Sequence, residues 1–186
     1  MIIAIGADHR GLPQLTPVAA LVRDGGHEVQ EVTPRDAARI DYPTEAYRVA
    51  RLVAENKADR GILLSGSGLG MAIVANRIPG VRAIVGHDEW SASISRSHHD
   101  SNVITIATDM VGPPMILRIV DRWLNTGFEA GRHARRLAMI RWIESGGDPA
   151  DMPDTDADTE ADTDSGSEIA INATPPADGV NRSDTQ

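Results

Sequence analysis

Five short apolar runs, separated by segments of helical period, constrain this chain more than any other feature. Ile2–Ala7, Glu28–Val32, Gly61–Leu64, Val81–Val85 and Val103–Ala107 read as strands. Between and after them lie amphipathic stretches near Pro13–Asp24, Pro43–Asn56, the residues after Gly70, Glu89–Ser97, Pro113–Leu124 and Gly131–Glu144. In Pro43–Asn56, for example, Ala46, Val49, Ala50 and Val53 share one helical face. Strands joined only through helices must run parallel, because a tight hairpin joins antiparallel neighbours. Right-handed crossovers then put helices on both faces of the sheet. The expected fold is α/β: a three-layer α/β/α sandwich around a five-stranded parallel sheet, and ligands of such sheets gather at the carboxyl ends of the strands.

Charge divides the chain in two. From Asp148 to Gln186 there are eleven acidic residues and one basic residue, Arg182, whereas the preceding part is nearly neutral. The run Asp154–Asp164 alternates acids with threonine and alanine and has too little apolar surface to offset its ordering entropy. The expectation is a folded domain over 1–147 and a disordered acidic tail over 148–186. A neutral body and an acidic tail argue against nucleic acid as a partner. Without cysteine there is neither a disulfide framework nor a thiolate metal site. The first residues, Met1-Ile-Ile-Ala-Ile-Gly6-Ala-Asp8, lack the basic start of a signal peptide, and no apolar run is long enough to cross a bilayer, so a cytoplasmic location is expected.

The chemistry concentrates where strands end. Ser65-Gly66-Ser67-Gly68-Leu69-Gly70 links the third strand to a helix, a turn that exposes backbone N–H groups to an anion or a developing oxyanion. One or two of its glycines are explained by a tight turn; three, with small hydroxyl residues between them, favour contact with a ligand. The spacing does not match a dinucleotide fingerprint. Asp8-His9 follows the first strand, where Asp8 either caps the next helix or meets a ligand; His87-Asp88 follows the fourth. His98 and His99 are adjacent and so point in different directions, which suits one acid/base histidine better than a metal site. Arg132 and Arg136 share a helix face and can converge on one anion, although a solvated basic face has the same spacing. Trp90, Trp123 and Trp142 read as core or interface anchors.

Taken in order, several segments resemble the type B ribose-5-phosphate isomerases and the galactose-6-phosphate isomerase subunits. They are Gly6-Ala-Asp8-His9-Arg-Gly11, Asp41-Tyr42-Pro43, Ser65–Gly70, Asn76-Arg-Ile-Pro-Gly-Val-Arg82, His87-Asp88-x-x-Ser91-Ala92, Asn102-Val and Gly131-Arg-His-x-x-Arg136. The resemblance spans Met1 to Trp142 and implies a Rossmann-like fold that interconverts an aldose and a ketose phosphate through an enediolate, with no metal or cofactor. It places ring opening on His98 and proton transfer at position 65. Enediolate charge falls on the backbone N–H groups from Gly66 to Gly70 (Gly66, Ser67, Gly68, Leu69 and Gly70), with Ser67 donating a hydrogen bond. Asp8 holds sugar hydroxyls, and His9, Arg132 and Arg136 grip the phosphate, with His99 at the substrate. The partners implied are a phosphorylated sugar and a second copy, in a homodimer or a tetramer whose sites are shared between subunits. This chain departs from the pattern at four positions. Ser65 stands where many members have a cysteine base, Met71 where others have a glutamate, His99 in place of an asparagine, and Asp109 where an arginine often binds phosphate. Ser65 would need help from Asp8 or His99, or another group takes the proton, since a hydroxyl is a weak base. Ribose 5-phosphate is the default substrate; the alternatives are a divergent member acting on a tetrose or hexose phosphate and a sugar-phosphate-binding subunit without catalysis.

Overall fold

The computed structural model describes residues 1–34 and 40–152. Strands β1 (Ile2–Ala7), β2 (Glu28–Glu31), β3 (Arg60–Ser65), β4 (Ala83–Gly86) and β5 (Val103–Ala107) alternate with helices α1 (Leu12–Asp24), α2 (Tyr42–Ala54), α3 (Leu69–Ala75), α4 (Glu89–Ser97) and α5 (Pro113–Asn125). Helix α6 (Arg132–Glu144) follows. All four strand pairings are parallel, in the order β2-β1-β3-β5-β4. The expected elements are present, with ends displaced by a residue or two.

Two cores account for the three layers. On one face Ile3, Ile5, Ile62, Leu64, Ile104 and Ile106 pack under α1, α4 and α5, with Trp123 fully buried. On the other Ala4, Leu63 and Val103 meet Val49 and Ala50 of α2 and Met71 and Ala75 of α3. Alternate residues of one strand thus feed opposite cores, which is why these strands read as continuous apolar runs. Trp123 donates from Nε1 to Ser101 Oγ at 2.8 Å, and Ser101 donates on to Ser95, so the buried indole is satisfied. Trp90 and Trp142 are not core residues; they are 64% and 39% exposed.

Residues 148–152 are ordered although they belong to the acidic segment. Asp148–Met152 folds back on α6: Asp148 O accepts from Trp142 Nε1 at 3.0 Å, and a 3₁₀ turn covers Pro149–Asp151. The expectation of disorder therefore fails for these five residues, where an indole donor and the Asp148 side chain, which accepts from Ala150 N, hold the backbone. The acidic run itself lies outside the described residues. Among those described, no helix is long and apolar enough to cross a membrane.

Candidate active site

Adjacent strands β1 and β3 send their crossovers to opposite sides of the sheet, to β2 in one direction and towards β5 in the other, which opens a crevice at their carboxyl ends. A cavity of about 360 Å³ occupies it, lined by Asp8, Arg10, Tyr42, Ser65, Gly66, Ser67 and Gly70. Its floor is fixed by main-chain bonds. Asp8 N donates to Leu64 O, Thr108 N to Ser65 O and Asp109 N to Gly66 O. Below β1, Thr33 Oγ1 accepts from Ala7 N at 2.8 Å and donates to the buried Glu45 carboxylate.

Asp8 is 7% exposed, and its Oδ1 accepts from Arg10 N and Gly11 N at 2.8 and 2.9 Å. It therefore caps the chain entering α1 and lines the cavity at once; its Oδ2 takes none of the described hydrogen bonds. Ser65, 4% exposed, accepts from Gly68 N at 3.0 Å through Oγ. That bond withdraws the Gly68 N–H from any ligand and steadies the oxygen against negative charge, while leaving the hydroxyl proton free to be donated. Leu69 N and Gly70 N belong to the first turn of α3, where no helix carbonyl lies one turn back to accept from them.

Two glycines of the turn, Gly68 and Gly70, have reasons internal to the fold, and Gly66 faces a side chain able to move. Gly68 sits at φ +73°. A Cβ on Gly66 would lie 2.7 Å from Asp109 Oδ2, and one on Gly70 the same distance from the Tyr42 ring. Gly66 and Gly70 line the cavity, beside the buried carboxylate, the two serines and the first-turn N–H groups. Met71, at the position where part of the resembling family carries a glutamate, is completely buried in the core. Arg10 and Tyr42 are lining residues that the sequence reading passed over. Asp109 does not stand as a bare repelling charge: Arg10 clamps it through Nε at 3.1 and 3.0 Å and through Nη2 at 2.9 Å. The pair raises the Arg10 pKa through that hydrogen bond and the Asp109 charge.

The other expected residues are elsewhere. His9 and Leu69 are exposed outside the cavity lining. His98 ends α4, a crossover helix that delivers the chain to the start of β5. Ser65 pairs with Ala107 at the far end of that strand, ~13 Å away by strand rise alone. His98 therefore belongs to the opposite edge of the sheet. There its ring stacks on His133, with centroids 4.1 Å apart and planes 14° from parallel, and His99 stands edge-on at 6.1 Å. Burial lowers the pKa of His99 and His133, with further lowering from His98 and Arg136 and, for His133, from Arg132. Within one chain, then, His98, His99, Arg132 and Arg136 cluster together and away from Ser65. His87-Asp88 proves structural: Asp88 Oδ1 accepts from Ser91 N at 2.7 Å, closing a capping box on α4, and that bond lowers the Asp88 pKa.

A parallel α/β sheet with a polar cavity at its switch point, walled by a buried carboxylate and an N–H-bearing turn, defines an α/β protein built to bind a small polar ligand. Residues 3–140 match the model of the ribose/galactose isomerase family, and the chain belongs to that family. It is 39% identical to ribose-5-phosphate isomerase B of Escherichia coli (strain K12) over 142 residues, 76% of this chain and 95% of that protein. It is 35% identical to D-erythrulose-4-phosphate isomerase of Pectobacterium atrosepticum, over 76% of this chain and 94% of the relative. The structure of Clostridium thermocellum ribose-5-phosphate isomerase B superposes with a TM-score of 0.76 at 38% identity, covering 78% of this chain and 99% of the other.

Proposed function

We propose that this protein is a cytoplasmic aldose–ketose isomerase of sugar phosphates, with ribose 5-phosphate and ribulose 5-phosphate as its substrate pair. The observation that carries the reading is the cavity joining the Asp8 carboxylate, the Ser65 and Ser67 hydroxyls and Gly70 of the first turn of α3 in a chain of this family. The reaction removes the C2 proton of the open-chain aldose, passes through an enediolate and returns a proton to C1. The turn supplies N–H donors for the enediolate oxygens. His98 opens the ring, and Arg132 and Arg136 hold the phosphate, but they do so in the cavity of a second copy. The opposite-edge placement of His98 supports such a homodimer, because one chain cannot fold the two groups together.

Position 65 holds no thiolate and position 71 no carboxylate, so the proton needs another acceptor. Of the two helpers the sequence offered, only Asp8 shares the cavity with Ser65. Asp8 takes the proton directly or through the Ser65 hydroxyl. NMR observation of deuterium exchange at C2 of ribose 5-phosphate tests this. Asp8→Asn keeps an oxygen for the Arg10 and Gly11 N–H groups, and should slow exchange about 10²-fold or more with little change in melting temperature. Ser65→Cys should speed it, because a thiolate at that point faces the same carbon. Wild-type exchange no faster than buffer would refute the activity, and undiminished exchange in Asp8→Asn would refute the role of Asp8.

The D-erythrulose-4-phosphate isomerase among the relatives makes a shorter sugar phosphate the second reading. The Arg10–Asp109 clamp supports it by holding the lining residue Arg10 in place on that wall. Comparing kcat/KM for tetrose, pentose and hexose phosphates separates the two.

A further inference from the structure

At the edge of the sheet away from Ser65, three groups of metal-ligand chemistry converge. His98, Glu129 and His133 each bring one ligand atom to within 4.8 Å of the others. His98 Nε2 and Glu129 Oε2 are 3.8 Å apart. The third member carries an independent feature. His133 is only 5% exposed, and its Nδ1 has no hydrogen-bond partner among the described residues. A buried imidazole nitrogen left in this state is an unmet demand for a proton donor or an electron-pair acceptor.

We propose that His98, Glu129 and His133 form a site for a divalent transition metal, suited to zinc, and that its occupation silences the enzyme by engaging His98. Two imidazoles and one carboxylate are a donor set that zinc takes with a water in its fourth position. Four-coordinate zinc with bonds near 2.0–2.1 Å holds its ligand atoms about 3.3 Å apart, so the cluster must contract modestly. The side chains that have to move are the accessible ones: Glu129 is 64% exposed and His98 29%, while His133 stays buried as the fixed point. The near-parallel stack of His98 on His133 must open into a tilt, because both lone pairs have to meet one ion. A metal-bound His98 can no longer exchange a proton with a sugar oxygen. Zinc and sugar phosphate are therefore competitors for the same imidazole. The binding half of this proposal stands on the cluster alone; the inhibitory half rests on the proposed role of His98.

The test is a cobalt(II) titration of the full-length, metal-free protein, followed by its visible d–d absorption, with zinc as competitor. One cobalt per chain with the intense bands of four-coordination is expected, and Glu129→Gln should weaken binding about tenfold or more. Glu129→Gln keeps the acidic tail, so any metal held there contributes equally to both proteins. In parallel, zinc should abolish turnover, excess EDTA should restore it, and Glu129→Gln should need about tenfold more zinc relative to its own metal-free rate. Absence of the four-coordinate bands, or cobalt affinity unchanged in Glu129→Gln, overturns the site. Cobalt binding without zinc inhibition of an active enzyme overturns the inhibitory half. Absence of turnover in the metal-free protein counts against the isomerase reading, and the cobalt spectra still decide the site.

Discussion

The two edges of the sheet are built by opposite means. At the carboxyl edge the Ser65 turn is held by main chain: strand-end N–H groups grip it, Gly68 supplies the left-handed turn, and even the Ser65 hydroxyl is fixed by a backbone donor. At the other edge the histidine cluster is held by side chains stacked on one another, beside α6, whose buried residues are only His133 and Leu137. Ile140, Trp142 and Ile143 of that helix remain exposed. The carboxyl edge is finished by the fold of a single chain; the other edge has a buried His133 nitrogen without a hydrogen-bond partner among the described residues and exposed apolar side chains on α6. Preorganisation thus belongs to the edge proposed to meet developing charge, and adaptability to the edge proposed to meet a second copy.

The largest effect should come from breaking the rigid half. A Cβ at Gly11 would sit 2.1 Å from Leu64 O, in the β3 backbone next to Ser65. Gly11→Ala should therefore cost roughly 3 kcal/mol or more, read by denaturant unfolding, and take activity with it. A cost under about 1 kcal/mol would show that the edge yields more easily than its bonding implies.

Joining the two halves gives an intermediate effect. If each cavity borrows His98 from a second copy, Asp8→Asn and His98→Ala proteins are both inactive alone but complement when their subunits exchange. An equal mixture should recover about a quarter of wild-type activity, since half the dimers are mixed and each has one intact site of two. A mixture no more active than its parents would place both groups in one subunit's chemistry or in none.

The smallest effect separates two aspartates that look alike in the sequence. Asp8 and Asp88 each follow a strand closely, yet Asp88 only caps α4. Asp88→Ala should cost about 1 kcal/mol at neutral pH and leave the metal-free turnover rate unchanged. Its carboxyl pKa is lowered in the folded protein, chiefly by the Ser91 N–H. The stabilisation is therefore complete above the ordinary carboxylate value of about 3.9 and lost as pH falls through the lower folded value. The gap between Asp88→Ala and wild-type melting temperatures should close in strong acid; a constant gap would assign the cost to something other than the charged cap.

The alternation of apolar runs and amphipathic segments was sufficient for the fold, because a parallel sheet covered on both faces leaves its strands apolar throughout and its helices one-sided. The position of the cavity was legible too: Asp8 and Ser65 end β1 and β3, and topology makes that their meeting point. What crowds the glycines was not legible, because the approach of Asp109 to Gly66 and of Tyr42 to Gly70 joins segments far apart in sequence. Arg10 and Tyr42 were missed for the same reason, as was the approach of Glu129 and His133 to His98.

Sequence by itself thus determined which elements form and which residues end each strand, since both follow from local periodicity and the handedness of crossovers. Only the tertiary structure decided that His98 and Ser65 stand at opposite edges, that Asp88 is a cap while Asp8 is also a wall, and that two histidines and a glutamate converge. Those outcomes depend on the direction each element takes across the sheet and on the packing of side chains brought from distant segments, and neither is encoded in local spacing.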